Sequence, residues 1–120
     1  MNLTFYSKDS NDNKVLFTTS YIKDDNEIIF NDESVKNTTI YLIIKNDSII
    51  FKRKGNINMD ITIKNDLTSK CHYENEIGLS FDFLVKTNYL VINEKRIEME
   101  YSLFLDGDII STHKITIIFH

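Results

Sequence analysis

The chain has no proline and no tryptophan, three glycines and one cysteine among its 120 residues. The lone thiol, Cys71, has no partner for an intramolecular disulfide, which fits a reducing compartment. With glycine only at positions 55, 78 and 107, no phosphate-cradling loop, dinucleotide fingerprint or nucleophile elbow can be assembled. Those glycines are expected at turns or bulges instead. Long apolar runs are missing too. Ile40–Ile44 is among the longest, whereas a membrane span needs about 20 apolar residues, so no membrane association is expected. Nor is there an excess of positive charge: a net charge of −4 and a pI near 5.3 give no field that would draw phosphate backbones or anionic lipid, which argues against a nucleic-acid partner. The start, Met1-Asn2-Leu3-Thr4-Phe5, lacks the basic-then-apolar order of a secretory signal, so a cytoplasmic location is expected.

What the sequence does have is alternation. Hydrophobic residues make up 42% and charged residues 27%, ordinary for a folded protein, and residues 1–120 are expected to form a single domain. In Arg96–Leu105, one face carries Ile97, Met99, Tyr101, Leu103 and Leu105, and the other Arg96, Glu98, Glu100 and Ser102. Ile57–Lys64 and Leu79–Lys86 repeat the pattern, and Asp108–Phe119 puts His113, Ile115, Ile117 and Phe119 on one side, with a break at Ile118. Period two identifies strands. Further strands are read at Leu3–Ser7, Val15–Ile22, Glu27–Phe30, Thr39–Lys45 and Ile49–Lys54. Asn46-Asp47, Lys64-Asn65-Asp66, Asn93-Glu94 and Asp106-Gly107-Asp108 supply hairpin turns between the runs. Asn31–Asn37 is a polar connection with room for a helical turn. About ten short strands with short connections predict an all-β, antiparallel up-and-down meander closed into a barrel or folded into a sandwich. Closure would explain how the chain does without edge prolines. Phe51, Phe81, Phe83, Tyr101 and Phe119 are candidates to point inward and would leave a small pocket or none.

Several motifs, in order, carry a family resemblance. Ile49-Ile50-Phe51-Lys52-Arg53-Lys54-Gly55 followed by Ile57-Asn58-Met59 resembles a strand ending in Arg-x-Gly that leads to a Met-bearing strand. Tyr73-Glu74-Asn75-Glu76-Ile77-Gly78 resembles a Tyr followed by a tight turn and Gly. Thr87 and Tyr101, and upstream Thr18-Thr19-Ser20, Glu33 and Thr39, complete the set. The chain resembles the YwiB-like family of bacterial proteins of unknown function. Ser20 stands for a Gly, Asn75 for a Thr and Ile63 for an aromatic residue of that pattern. The resemblance implies a calycin-like (lipocalin-like) barrel of about 8–10 strands, related in shape to carriers of small apolar ligands, and implies no activity.

Among candidate site residues Arg53 stands first. By alternation it shares a face with Ile49 and Phe51, and a buried guanidinium needs a partner. Glu33 is the expected partner, either as an ion pair plugging one barrel end or as part of an anion site. Tyr73, Tyr101 and His113 complete the interior or rim set, with His113 placed to hydrogen-bond Tyr73, Tyr101 or a ligand. Lys52 and Lys54 face away from Arg53, so the Lys-Arg-Lys run is a solvated strand rather than a basic patch. Cys71 and His72 are strand neighbours pointing to opposite faces, which rules out a nucleophile–base pair. No histidine has a metal-ligand spacing. Glu98 and Glu100 read as a solvated row rather than an acid–base pair. No catalytic residue, cofactor or metal is therefore expected, and the protein is read as a non-enzymatic barrel that binds a small, partly apolar molecule inside. The alternative is an interaction or homodimerisation module using its outer surface or a sheet edge, with Tyr6, Tyr41 and Leu84 as exposed apolar residues.

Overall fold

Alternation along the chain becomes eleven antiparallel strands in a computed structural model that describes residues 1–120. They are β1 (Asn2–Asp9), β2 (Lys14–Ser20), β3 (Ile22–Asp24), β4 (Glu27–Asn31), β5 (Thr38–Ile44), β6 (Ser48–Gly55), β7 (Ile57–Lys64), β8 (Thr68–Asn75), β9 (Ser80–Ile92), β10 (Arg96–Leu105) and β11 (Asp108–Phe119). There is no helix, and the Asn31–Asn37 connection is made of turns. Every strand bonds to its sequence neighbours except that β2 and β3 do not pair, and β1 pairs with β11 from Leu3↔Phe119 to Asp9↔His113. The one break in the circle lies between β2 and β3. The result is the meander expected, nearly closed into a barrel.

The run read as one strand, Val15–Ile22, is two, because the chain bends at Tyr21 and carries β3 to the opposite edge of the sheet. Side chains close what the backbone leaves open. Phe17 of β2 stacks on Phe5 at 5.0 Å between centroids and meets Phe30 of β4 at 6.4 Å. Thr19 Oγ1 donates to Glu33 Oε1 across the same seam at 3.2 Å.

Tight hairpins follow the turn chemistry. Asp106 and Gly107 both have positive φ, 52° and 84°, as a two-residue hairpin turn requires. Asp12, Asp25, Asn37 and Asp66 take the left-handed conformation elsewhere, which short polar side chains tolerate best. Gly55 is different in kind: a Cβ there would lie 1.8 Å from the Asn37 carbonyl oxygen. The end of β6 therefore presses directly on the turn between β4 and β5.

Inward side chains lie in rows across the strands. Phe5, Ile117 and Ile97 form one row and Met99 lies opposite Ile115 in the next, while across the barrel Ile49 lies opposite Ile63 and Phe51 opposite Ile61, all buried. Burying each stabilises the fold by about 1.5–3 kcal/mol. Beyond them come Ser7, the Arg53–Met59 pair and the Tyr101–His113 pair, and there apolar packing gives way to a cavity. Two of the aromatic residues expected to fill the interior do not: Phe81 is 42% exposed and Phe83 half-buried, because both stand on β9 near its free hairpin end. Phe119 is likewise half-buried, at the other end of the barrel.

Replacing Gly55 by Ala is expected to cost about 3 kcal/mol or more, since backbone must move to admit a methyl group. Gly78→Ala, at a positive φ but with open space around it, should cost only about 1 kcal/mol. Urea unfolding of the two variants checks the order.

Candidate functional site

The up-and-down meander brings one end of each strand to the same rim. Ser7 closes β1, Arg53 nears the end of β6, Met59 the start of β7, and Tyr73 the end of β8. Phe81 opens β9, Tyr101 and Leu103 lie late in β10, and Ser111 and His113 early in β11. Together with Cys71, Phe83, Ile110 and Ile115 they line a half-open cavity of about 330 Å³. Ile110 gains access through a bulge: Leu103 pairs with Ser111 and Phe104 with Ile109, so Ile110 is the extra residue.

Four of the five expected site residues, Arg53, Tyr73, Tyr101 and His113, meet in this cavity. Glu33 does not. It is exposed and engaged with Thr19 at the β2–β4 seam. The partner of Arg53 is the preceding residue, Asp32, whose Oδ2 lies 3.2 Å from Arg53 Nε with its side chain fully buried. The correction has a simple cause. Alternation runs on past the end of β4: Ile28, Phe30 and Asp32 are buried in turn, and Glu33 falls on the outward side. Asp32 is fixed by local bonds: its Oδ1 accepts from the backbone N–H and the hydroxyl of Ser34, and its own N–H donates to Thr38 O.

Distance and direction disagree within this pair. The 3.2 Å separation is that of an ion pair, yet Arg53 Nε and Asp32 Oδ2 are both buried without a hydrogen bond. The charges compensate each other while the N–H is not aimed at the oxygen, so attraction is supplied and hydrogen bonding is not. The guanidinium also sits over the Phe51 ring, 5.4 Å from its centroid.

Tyr101 is buried, and burial pushes its phenol up to about 12, partly offset by the nearby Arg53 charge. It is a neutral hydroxyl at physiological pH. His113 stacks on Tyr101 at 5.2 Å. Its hydrogen bond is with neither tyrosine; Nε2 and Ser111 Oγ share one at 2.8 Å. Burial holds His113 below its ordinary value; Asp9 opposes this and Arg53 adds to it. Cys71 is buried, its thiol raised to about 11 by burial, and its neighbour His72 points outward to Asp82 at 2.7 Å. The two stand on opposite faces, as alternation requires.

Outside the cavity the charged rows are solvated. Arg96 pairs with Glu98 on one strand, and Glu100 stands opposite Lys114. Lys54 lies over Tyr41, 5.7 Å from the ring centroid, on the opposite face from Arg53. Tyr6 and Tyr41 are half-buried; Leu84 is exposed. No three His, Cys, Asp or Glu side chains converge as a metal site.

A single antiparallel sheet curled into a barrel, packed at one end and hollow at the other, is the class of protein that these features define. The chain belongs to the family described as "Domain of unknown function (DUF1934)", which matches residues 4–117. It is YwiB-like in structure as well: it resembles the crystal structure of the ywiB protein from Bacillus subtilis with a TM-score of 0.64 at 12% identity, over 99% of this chain and 92% of that one. That likeness is one of fold. No curated protein matches the sequence.

Two stability predictions follow from the polar groups. Arg53→Met leaves the Asp32 carboxylate buried without compensation and should cost about 3–5 kcal/mol, most of it recovered in the Asp32→Asn/Arg53→Met double variant; urea unfolding measures both. For His113, a folded pKa below the ordinary 6.5 means that the unfolded chain takes up the proton first as pH falls. The associated stability is complete above pH 6.5 and is lost toward the lower folded value. His113→Gln should therefore flatten the decline in unfolding free energy as pH falls below 6.5. An unchanged slope would show that His113 is not held neutral.

Proposed function

We propose that the protein is a non-enzymatic, calycin-like barrel that holds a small, partly apolar molecule in the cavity at its open end. The observation that carries this reading is the lining of the open end: side chains that would complete the core are replaced by Ser7, Arg53, Tyr101 and His113 around a largely apolar hollow. Apolar walls with a few convergent polar groups are the usual make-up of a binding pocket, and about 330 Å³ lies at the small end of their range. An apolar cavity of about 150 Å³ holds benzene, so a body of about ten to fifteen non-hydrogen atoms fits here. A binding role is favoured over catalysis because Cys71 in the wall has its thiol held protonated, and the Ser111–His113 pair has no third group to orient the imidazole as a base. A cytoplasmic location belongs to the same reading.

Fluorescence of a neutral environment-sensitive probe, N-phenyl-1-naphthylamine, tests the proposal, together with native mass spectrometry for molecules retained from the cell. The probe should brighten on the wild-type protein and lose at least tenfold in affinity on Ser7→Phe, which puts a ring into the hollow. Equal binding to a folded Ser7→Phe variant would overturn the reading.

A second reading rests on a different observation. Ile77 is 76% exposed, Leu79 51%, and Ile109 60%, so the hollow end of the barrel is rimmed by apolar residues, as a covered surface would be. On this reading two copies meet rim to rim. Light scattering after size-exclusion chromatography would then show a dimer that Ile77→Asp converts to monomer.

A further inference from the structure

The cavity wall is chemically one-sided. Its single permanent charge is the Arg53 guanidinium, and no Asp, Glu or Lys lines it. The only carboxylate paired with Arg53 is Asp32, which meets the guanidinium at Nε and is itself outside the cavity lining. That Nε is buried against Asp32 and out of a ligand's reach, so the guanidinium meets the cavity with its Nη edge. Tyr101 presents a neutral hydroxyl in the same space, and Ser7 and Ser111 add two more. A guanidinium has five N–H donors and no acceptor. The cavity wall itself supplies no anion to that edge.

The wall also has a direction. Arg53 pairs with Met59, Met59 with Tyr73 and Tyr73 with Phe81, so these four residues form one row across neighbouring strands. Arg53, with 20% of its side chain exposed, and Met59, 9%, are the more enclosed members, and Phe81, 42%, is the most exposed. The charged end of the row is in the barrel and the aromatic end is at its mouth, where Tyr73 and Phe81 lie 6.5 Å apart.

Resting on the reading of the cavity as a binding site, we propose that it selects a molecule with one anionic head, a carboxylate or its equivalent, on an apolar body. The head sits inside against Arg53 and Tyr101, and the body leaves past Tyr73 and Phe81. Arg53 keeps Asp32 as its structural counter-ion and offers its remaining N–H groups to the ligand, as guanidinium groups do in carboxylate recognition.

Calorimetric titration of the full chain with decanoate and with decan-1-ol, which share a body and differ in head charge, tests this. Decanoate should bind at least tenfold more tightly. In the Asp32→Asn/Arg53→Gln double variant, which leaves no charge orphaned, the preference should vanish while the alcohol still binds. Tyr101→Phe should reduce it severalfold without altering any charge. Decanoate should also slow the labelling of Cys71 by a thiol reagent, which places it in the cavity. Equal affinity for the two compounds would overturn the anionic head and leave the cavity reading intact. Binding of neither compound would overturn both. Should the double variant fail to fold, the wild-type ratio of the two affinities decides the matter alone.

Discussion

The Arg53–Asp32 pair is the constraint around which the open end of the barrel is arranged. Asp32 is the one buried charged residue of the chain, and it has that place only because the turn after β4 folds inward over the end of β6. That turn in turn depends on Gly55, the one residue whose lack of a side chain lets β6 touch the Asn37 carbonyl. Sequence neighbours therefore hold both ends of the pair: Arg53 two residues before Gly55, Asp32 five before Asn37. A buried ion pair is seldom a net source of stability. Its effect here is positional, since it fixes a guanidinium beside a hollow that apolar side chains would otherwise fill.

Much of the fold was legible because strand parity is rigid. Once Ile97, Met99 and Tyr101 point one way, the rest of β10 follows, and the same holds in β6, β7 and β11. Asp-Gly at 106–107 marks its hairpin by the same local chemistry. What escaped were departures from parity or from local control. The bend at Tyr21 separates β2 from β3 although no glycine or proline marks it, and the alternation of β2 had no reason to stop there. Strand β9 runs on to Ile92, past Asn88, an extra residue opposite the shift in pairing between Glu100 and Tyr101. At Leu90 its backbone N–H finds an acceptor in the Asn65 side chain. Such a partner is invisible before the chain is folded.

The site was legible to the same extent and for the same reason. Arg53, Tyr101 and His113 occupy inward positions of well-patterned strands, and Tyr73 stood out through the family pattern. Glu33 was placed wrongly by one residue although alternation carried the signal: the inward side of Ile28 and Phe30 continues to Asp32. Ser7 was missed although it carried a signal: it follows Leu3 and Phe5 on the inward face of β1, and a small polar residue there breaks the row. Ile110 carried none, since only the bulge turns it toward the cavity. Asn75, where the family pattern has Thr, caps the hairpin between β8 and β9 by accepting from the N–H groups of Ile77 and Leu79. Ile63, in place of an aromatic residue, is fully buried.

The ladder between β1 and β11 sets an order in time. Leu3 lies opposite Phe119, so β1 waits for β11 to be made before its second edge is covered. Until then β1 and β2 form a hairpin with one bare side, and the loop to be closed is nearly the whole chain. Contacts so distant in sequence form slowly because their entropy is lost before any packing rewards it. Leu3 and Phe5 thus stay exposed until β11 has been made, and the need for protection from aggregation is greatest just before the barrel is complete.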